Sequence, residues 1–289
     1  MTDRENDFGQ PIGPDVPGWQ AAAKPSRKPI RGRFCKIESL DTQVHLDDLY
    51  DAYSNDVNGV LWTYMFVGPF KSKNDFRAWL DLACAENDPL FQAIIDLSTN
   101  KAVGIAAYMR IQPDVGVIEV GNITYSPLLQ RTSLATEAMF LLMKRVFDEL
   151  GYRRYEWKCD SLNAASRKAA KRLGFSFDGI FEQAIVYKGR NRDTAWYSIL
   201  DRDWIFLKGA YIKWLDQKNF DEHGNPTNED GECSDTNAGT FHVAVANVMG
   251  IAGKSFIEDR TYDYQVWNQP VHSYEVTKTQ TMTALEANK

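Results

Sequence analysis

The stretch Gln130-Arg131-Thr132-Ser133-Leu134-Ala135-Thr136-Glu137-Ala138 decides how this chain folds. Before it, residues 121–125 have strand character and 126–130 form a turn. After it, Ala135, Ala138, Met139, Leu142, Val146 and Leu150 recur at helical spacing, which predicts an amphipathic helix over about 133–150. Glu137, Lys144, Arg145 and Asp148 fall elsewhere on the wheel, and Gly151 is a natural stop. Residues 152–159 then alternate, with Tyr155, Trp157 and Cys159 on one face and Arg154, Glu156 and Lys158 on the other. Asn163 caps a short helix over 163–173, with Ala165, Ala169 and Leu173 inward and Gly174 at its end. Strand, helix and strand in this order predict a right-handed βαβ crossover. A turn opening directly onto a helix leaves backbone N–H groups at the positive end of the helix dipole, so the quoted stretch reads as a cradle for an anion. Strands beside such a crossover are expected to splay and leave main-chain groups for a ligand.

Outward from this unit, three strands are predicted at 91–97, 102–111 and 115–125, joined by short polar turns, which indicates an antiparallel meander. Two helices precede them. One, capped by Asp41-Thr42, runs to about residue 54 with Val44, Leu46, Leu49 and Tyr53 available for a buried face. The other runs from Ser72 to Ala85 with Phe76, Trp79, Leu80 and Ala83 on one stripe. A first strand is expected at 33–38. Residues 55–70 form a loop rich in Gly and aromatics, read either as a cover over the core or as a wall of a substrate cleft. Strands at 175–188 and 194–201 are joined by a turn at 189–193, in which Arg190, Arg192 and Asp193 shape the hairpin; the alternative is a role in acceptor entry. A helix follows at 203–215. The result is a mixed α/β sheet.

Five of the eleven prolines lie in residues 1–32, which read as an extended arm pinned by Trp19. The 289 residues are 44% hydrophobic and 12% aromatic, enough for a substantial core. The net charge of −6 is concentrated in 219–238, where six carboxylates meet no Lys or Arg. The near-neutral remainder has no basic face, so nucleic acid is not an expected partner. Cys35, Cys84, Cys159 and Cys233 lie far apart without a C-x-x-C pair, which argues against a disulfide scaffold and a zinc site and for a reducing, cytoplasmic compartment. No signal peptide and no run of 18 apolar residues is seen, so neither export nor a membrane partner is expected.

Four segments together carry a resemblance. Gln130-x-x-Ser133-x-Ala135, followed by Thr136-Glu137-Ala138, resembles the pyrophosphate loop Gln/Arg-x-x-Gly-x-Gly/Ala of the GCN5-related N-acetyltransferases (GNAT), with Ser133 in place of the usual Gly. Asn163-x-x-Ser166, Leu173-Gly174-Phe175 and Ile118-Glu119-Val120-Gly121 match the same family, and within it the branch that includes the ribosomal-protein alanine N-acetyltransferases. The resemblance covers about 33–215. It implies a GNAT-like acyl-CoA N-acyltransferase fold at 33–218, preceded by the arm at 1–32 and followed by an acidic linker at 219–238 and a short appendage at 239–289. It implies acetyl-CoA as co-substrate, with its pyrophosphate on the N–H groups of Arg131, Thr132, Ser133, Leu134 and Ala135 beside Gln130. The pantetheine arm is then expected along Asn122, Ile123 and Thr124, with a secondary contact from Asn163. The acceptor is a primary amine, on a small molecule or a protein N-terminus, acetylated by direct transfer in a ternary complex without a metal.

Amine acetylation needs a base for the amine, donors for the thioester oxygen and a proton for the departing thiolate. Glu119 is the candidate base, directly or through a water; the alternative is a carboxylate turned outward or paired with an Arg. Ser166 is the candidate proton donor, a role the resemblance suggests; the alternative is a hydroxyl bonded to backbone at a helix start. Lys168, Lys171 and Arg172 read as a solvated face that also offers charge to a 3′-phosphate. A non-catalytic CoA-binding module stands as the alternative function.

Residues 239–283 resemble a fragment of the transglutaminase-elicitor family through Gly239-Thr240-Phe241-His242, Ser255-Phe256-x-x-Asp259 and Val266-Trp267-Asn268-Gln269-Pro270-Val271. A transglutaminase-like Cys enzyme needs a thiolate, an imidazole and an orienting acid. His242 and Asp259 supply the last two, whereas Cys233 lies only nine residues before His242. The segment therefore reads as a catalytically incomplete appendage.

Overall fold

The computed structural model describes residues 4–221 and 227. Its centre is an eight-stranded mixed sheet of order β3-β4-β5-β6-β7-β8-β10-β9. The strands are β3 (Ile30–Arg31), β4 (Cys35–Ser39), β5 (Leu90–Asp96), β6 (Lys101–Gln112), β7 (Val117–Tyr125), β8 (Arg154–Asp160), β9 (Ser176–Tyr187) and β10 (Arg190–Leu200). β4 to β7 form the antiparallel meander, and β7 and β8 are the one parallel pair among the described residues, joined through α3 (Ser133–Lys144). A turn of π-helix, Arg145–Glu149, extends α3, and Gly151 follows at φ 77°, the left-handed stop expected of it.

Two cores flank the sheet because its strands alternate. Ile118, Val120, Tyr155, Trp157, Cys159, Ala195, Tyr197 and Ile199 face one way. They pack under α3, α4 (Ala164–Arg172) and α5 (Asp201–Trp214). Phe91, Ala93, Ile95, Ala102, Ile105 and Ala107 face the other way, under α1 (Thr42–Tyr53) and α2 (Lys73–Ala85). The helix starts are set by side chains read in the sequence. Asp41, Ser72 and Asn163 each accept a backbone N–H one turn in, from Gln43, Asp75 and Ser166.

Several expectations are corrected. Val44 is 62% exposed, and His45 takes its place in the buried stripe of α1. His45 fits there because its Nδ1 accepts the Asp41 N–H (3.0 Å) and its Nε2 meets Glu38 (3.1 Å). The β9–β10 turn is Lys188-Gly189 alone, with φ of 47° and 69°, the doubly left-handed turn that matches the twist of a hairpin. Arg190, Arg192 and Asp193 therefore lie on β10, not in a turn. Helix α5 begins at Asp201, not 203.

The arm is tied down more firmly than an extended segment needs. Arg4–Glu5 (β1) and Pro11–Ile12 (β2) pair as a small hairpin, and β3 joins the main sheet. Trp19 does pin it, donating from Nε1 to the Asp114 carbonyl (3.1 Å) and lying under Arg153 (5.6 Å). At the other end Phe220 is buried against Phe34 and Trp214. The chain divides into units 1–252 and 253–289, and every described residue belongs to the first. The remainder of the 219–238 segment, the appendage, Cys233, His242 and Asp259 lie outside the described residues.

Candidate active site

β7 and β8 pair in register from Val117↔Arg154 to Val120↔Trp157 and no further. Beyond that point β7 continues to Tyr125 against β6, and β8 continues to Asp160 against β10. The sheet therefore opens between its two parallel strands, at the C-terminal ends where an α/β sheet offers its main chain to a ligand. A bulge enlarges the gap: Ile105 pairs with Thr124 and Ala107 with Gly121, so Asn122 and Ile123 stand opposite Ala106 alone. Asn122 carries the strain, with φ of 49°. Tyr53 fixes this rim from α1 by donating to the Thr124 carbonyl (2.9 Å), and burial holds its phenol well above the ordinary value. Thr124 Oγ1 donates in turn to the Asn122 carbonyl (3.2 Å).

The turn at 126–132 sits at the foot of this gap. Gln130 Nε2 donates to the Tyr125 carbonyl (2.8 Å) and so ties the turn to the end of β7. Arg131 takes the left-handed conformation, φ 63°. Thr132 is the cap of α3: its Oγ1 accepts the Ala135 N–H (3.1 Å) and donates to the Leu129 carbonyl (2.7 Å). The backbone N–H groups of Arg131 and Thr132 have no protein acceptor among the described residues, while that of Ala135 is already engaged by the cap. Ser133 is the first residue of α3 and has no positive φ, so the backbone here does not require glycine. Thr132→Ala is expected to remove about 1 kcal/mol with the cap, lowering Tm by about 2–4 °C in a thermal melt; an unchanged Tm would show the cap idle.

Glu119 and Ser166 bracket the gap from opposite faces. Glu119 stands opposite Glu156 on the side away from α3 and is 3% exposed. Its Oε2 takes two cations, Arg110 (2.5 Å) and Lys158 (2.9 Å). Its Oε1 has no partner among the described residues and lies beside Gly121, where a Cβ would stand 3.3 Å away. Lys158 also reaches Glu156 (2.7 Å), which Arg154 holds from the far side (2.6 Å). Burial pushes the Glu156 carboxyl up, but the hydrogen bonds from Lys158 and Arg154 outweigh it and hold the group below its ordinary value. Arg154, Glu156 and Lys158 thus occupy the face predicted for them, as an ion ladder rather than a solvated edge.

On the α3 side, Ser166 Oγ accepts from the Trp157 indole N–H (2.9 Å), and its N–H donates to Asn163 Oδ1 (3.0 Å). Because Trp157 is the last residue of β8 in register with β7, this bond places Ser166 at the mouth of the gap. Cys159 lies near it in the core; burial pushes its thiol up despite a hydrogen bond with Ser166, the state of an inert core cysteine. Arg172 does not sit on a solvated face: both its terminal nitrogens reach Thr136 Oγ1 (3.2 Å each) and link α4 to α3.

The aromatic loop 55–70, with a 3-10 turn at Val60–Trp62, is bound to the β9–β10 hairpin. Lys188 Nζ donates to the carbonyls of Trp62 (2.8 Å), Val67 (3.1 Å) and Gly68 (2.7 Å), and Arg190 to that of Thr63 (2.6 Å). Phe66 meets Tyr187 (5.5 Å between centroids), and Tyr64 donates to the Leu162 carbonyl just after β8 (3.1 Å). Trp62 is core cover, whereas Phe66 stands half exposed beside the sheet end. Among the described residues no group of His, Cys, Asp and Glu is arranged to hold a metal ion, and no helix is long and apolar enough to cross a membrane.

Residues 37–176 match the acetyltransferase (GNAT) domain model, and residues 197–289 match the transglutaminase elicitor model, whose match begins inside β10. No curated protein sequence matches the chain. Among solved structures, a GCN5-related N-acetyltransferase from Brucella melitensis is 48% identical, covers 73% of this chain and 96% of its own, and has a TM-score of 0.71. A probable acetyltransferase of the GNAT family from Chromobacterium violaceum is 41% identical over 68% of this chain and 98% of its own, with a TM-score of 0.64. A Salmonella typhimurium enzyme described as modifying the N-terminal serine of ribosomal protein L7/L12 shares the fold at 19% identity, 58% and 96% coverage and a TM-score of 0.51. With its gap between β7 and β8, its capped turn before α3 and these relatives, the chain belongs to the GCN5-related N-acetyltransferase family.

Proposed function

We propose that this acyltransferase moves an acetyl group from acetyl-CoA to a primary amine, on a small molecule or a protein N-terminus, by direct transfer in a ternary complex. The observation that carries this reading is the end of β7–β8 pairing at Val120↔Trp157, with Glu119 on one side and Ser166 on the other.

The residues present fit the co-substrate. Two unengaged N–H groups, at Arg131 and Thr132, stand at the start of a helix whose dipole favours an anion. Gln130 shapes the turn; Ser133, Leu134 and Ala135 complete it. The bulged main chain of Asn122, Ile123 and Thr124 suits an amide-bearing chain laid along a strand edge. Asn163 holds the first turn of α4 in place by its cap. Acetyl-CoA, when bound, supplies a thioester carbonyl for the amine to attack.

Glu119 Oε1 takes the proton of the attacking amine, directly or through one water, while Arg110 and Lys158 keep Oε2 fixed. Ser166 has one hydroxyl hydrogen and receives the Trp157 N–H, so it can donate a hydrogen bond to the departing thiolate and relay a proton to it from solvent, ending as the neutral hydroxyl again. A low-salt thermal melt is the first test: acetyl-CoA at 100 times its Kd is expected to stabilise the chain by about 2.7 kcal/mol. Thiol release with an amine panel, read by mass as the acetylated product, is the second. A melt shift without thiol release would assign the chain as a CoA-binding module, and no melt shift would sink both readings.

A further inference from the structure

One face of β10 carries a line of donors that nothing in the fold uses. Ala195, Tyr197 and Ile199 enter the core beneath α3 and α5, so Arg192, Thr194 and Trp196 share the opposite face. It is the face of the ion ladder. Trp196 is in register with Lys158, whose ammonium lies 3.8 Å from the indole centroid and 2.9 Å from Glu119 Oε2. Arg192 is 7% exposed and Thr194 3%. Arg192 Nε, Thr194 Oγ1 and Trp196 Nε1 are all buried without a hydrogen-bond partner, and Arg192 forms no ion pair among the described residues. The Phe66 and Tyr187 rings flank its guanidinium at 5.3 and 5.9 Å. The neighbouring carboxylate, Asp160, is committed elsewhere: it accepts from the Tyr187 hydroxyl (2.7 Å) and the Leu162 N–H (2.9 Å). Other unpaired buried atoms, such as those of Gln92 and Ser126, are scattered through the core. These three stand two residues apart on one strand face, the same sheet face that carries Glu119 two strands away.

We infer that Arg192, with Thr194 and Trp196, binds a carboxylate of the acceptor, so that the preferred amines carry an acid group. This rests on the N-acetyltransferase reading of the same site. The planar guanidinium fork matches a carboxylate, and the indole N–H and the hydroxyl add donors along the same line. Asp160, Glu156 and Glu119 on this face disfavour a doubly charged phosphate, which leaves the singly charged planar anion as the better match. Arg192 lies four residues from Trp196, about 13 Å of strand. The acid group is therefore several bonds from the amine, as in an ω-amino acid or in a peptide with an acidic side chain behind its free N-terminus.

The test uses the full chain with acetyl-CoA and matched acceptors: γ-aminobutyrate against its amide, and a short peptide with Glu at its second position against the Gln peptide. The two pairs distinguish free amino acid from peptide. The carboxylate member of at least one pair is expected to have a KM about 10 to 100 times lower. Arg192→Met removes that preference and leaves the KM of the neutral member within about twofold of wild type. Equal KM values within both pairs overturn the inference while leaving the acetyltransferase reading intact. A readout independent of turnover covers the case in which no acceptor in the panel reacts: glutarate is expected to raise the Tm of the wild type and not of Arg192→Met. An equal response of the two proteins overturns the inference. Because Arg192 has no ion pair among the described residues and its Nε is buried without a hydrogen-bond partner, Arg192→Met, which keeps an apolar chain between the Phe66 and Tyr187 rings, is itself expected to melt no lower than wild type. A Tm several degrees lower, with acceptor preference unchanged, assigns Arg192 to structure instead.

Discussion

Glu119→Gln is expected to lower kcat/KM for amine acetylation by about 100-fold to 10,000-fold while leaving the protein folded. The amide keeps the shape of the side chain but cannot take the amine's proton. The fold tolerates the change because neither cation is stranded. Lys158 keeps Glu156 at 2.7 Å, and the Arg110 side chain is 47% exposed and returns to water. The pH profile separates this role from a structural one. Without a base, only amine already neutral in solution reacts, so the residual rate should climb with pH up to the amine's own ionisation, near 8 for an α-amine and above 10 for a lysine-like one. Wild type should have levelled off well below that. Full turnover of Glu119→Gln at neutral pH would remove Glu119 as the base and leave it as the anion that positions Arg110 and Lys158.

How much of this site was legible in the sequence depends on how far each signal reaches. Caps act over one turn, and Asp41, Ser72, Asn163 and the Gly151 stop all stand where the residue types put them. The crossover and the meander follow from periodicity and short turns; the expectation that β7 and β8 part comes from the topology of a crossover, not from the spacing. The ion ladder was half legible. Alternation in 154–158 put Arg154, Glu156 and Lys158 on one face, but only the parallel register Glu119↔Glu156 brings Lys158 to Glu119. Pairing of Glu119 with an Arg was an open alternative and is present, but that the Arg is Arg110 was not legible, because it reaches Glu119 across a bulged hairpin. Arg192 was misplaced for a local reason. Gly189-Arg190-Asn191-Arg192-Asp193 has turn composition, yet two left-handed residues, Lys188 and Gly189, complete the turn and return the rest to the strand. Tyr53 and Trp157 read as core residues by type; that each also uses its polar end to fix the rim of the gap depends on packing between distant elements.

Glu137 is the clearest case of a contact that composition hides, and its removal carries the second large prediction. On the α3 wheel it falls away from the apolar stripe. It is instead 5% exposed, and it accepts three backbone N–H groups from more than one hundred residues earlier: Arg33 (2.8 Å), Phe34 (2.7 Å) and Cys35 (2.9 Å). These are the residues where the chain turns from β3 into β4, so one carboxylate on the helix after the 126–132 turn holds the start of the sheet's outer strands. The approach is close enough that a Cβ on Gly32 would fall 2.4 Å from its Oε2, which is why the β3–β4 connection carries glycine there. Cys35, buried beneath it, has its thiol pushed up by burial first and by the Glu137 charge second, so no thiolate competes for the same donors. Glu137→Ala leaves three backbone donors facing a cavity. It is expected to cost about 3 kcal/mol, a Tm fall of about 6–12 °C for a domain of this size. Glu137→Gln keeps one acceptor oxygen but turns an NH2 toward a donor, and should fall between the two. A Gly32→Ala chain should be destabilised by the same contact approached from the other side, and combining it with Glu137→Ala should cost less than the two separately, since both act on one carboxylate. A Tm for Glu137→Ala within about 2 °C of wild type would show that water reaches these N–H groups, and that α3 and the β3–β4 connection are held together by their apolar contacts alone.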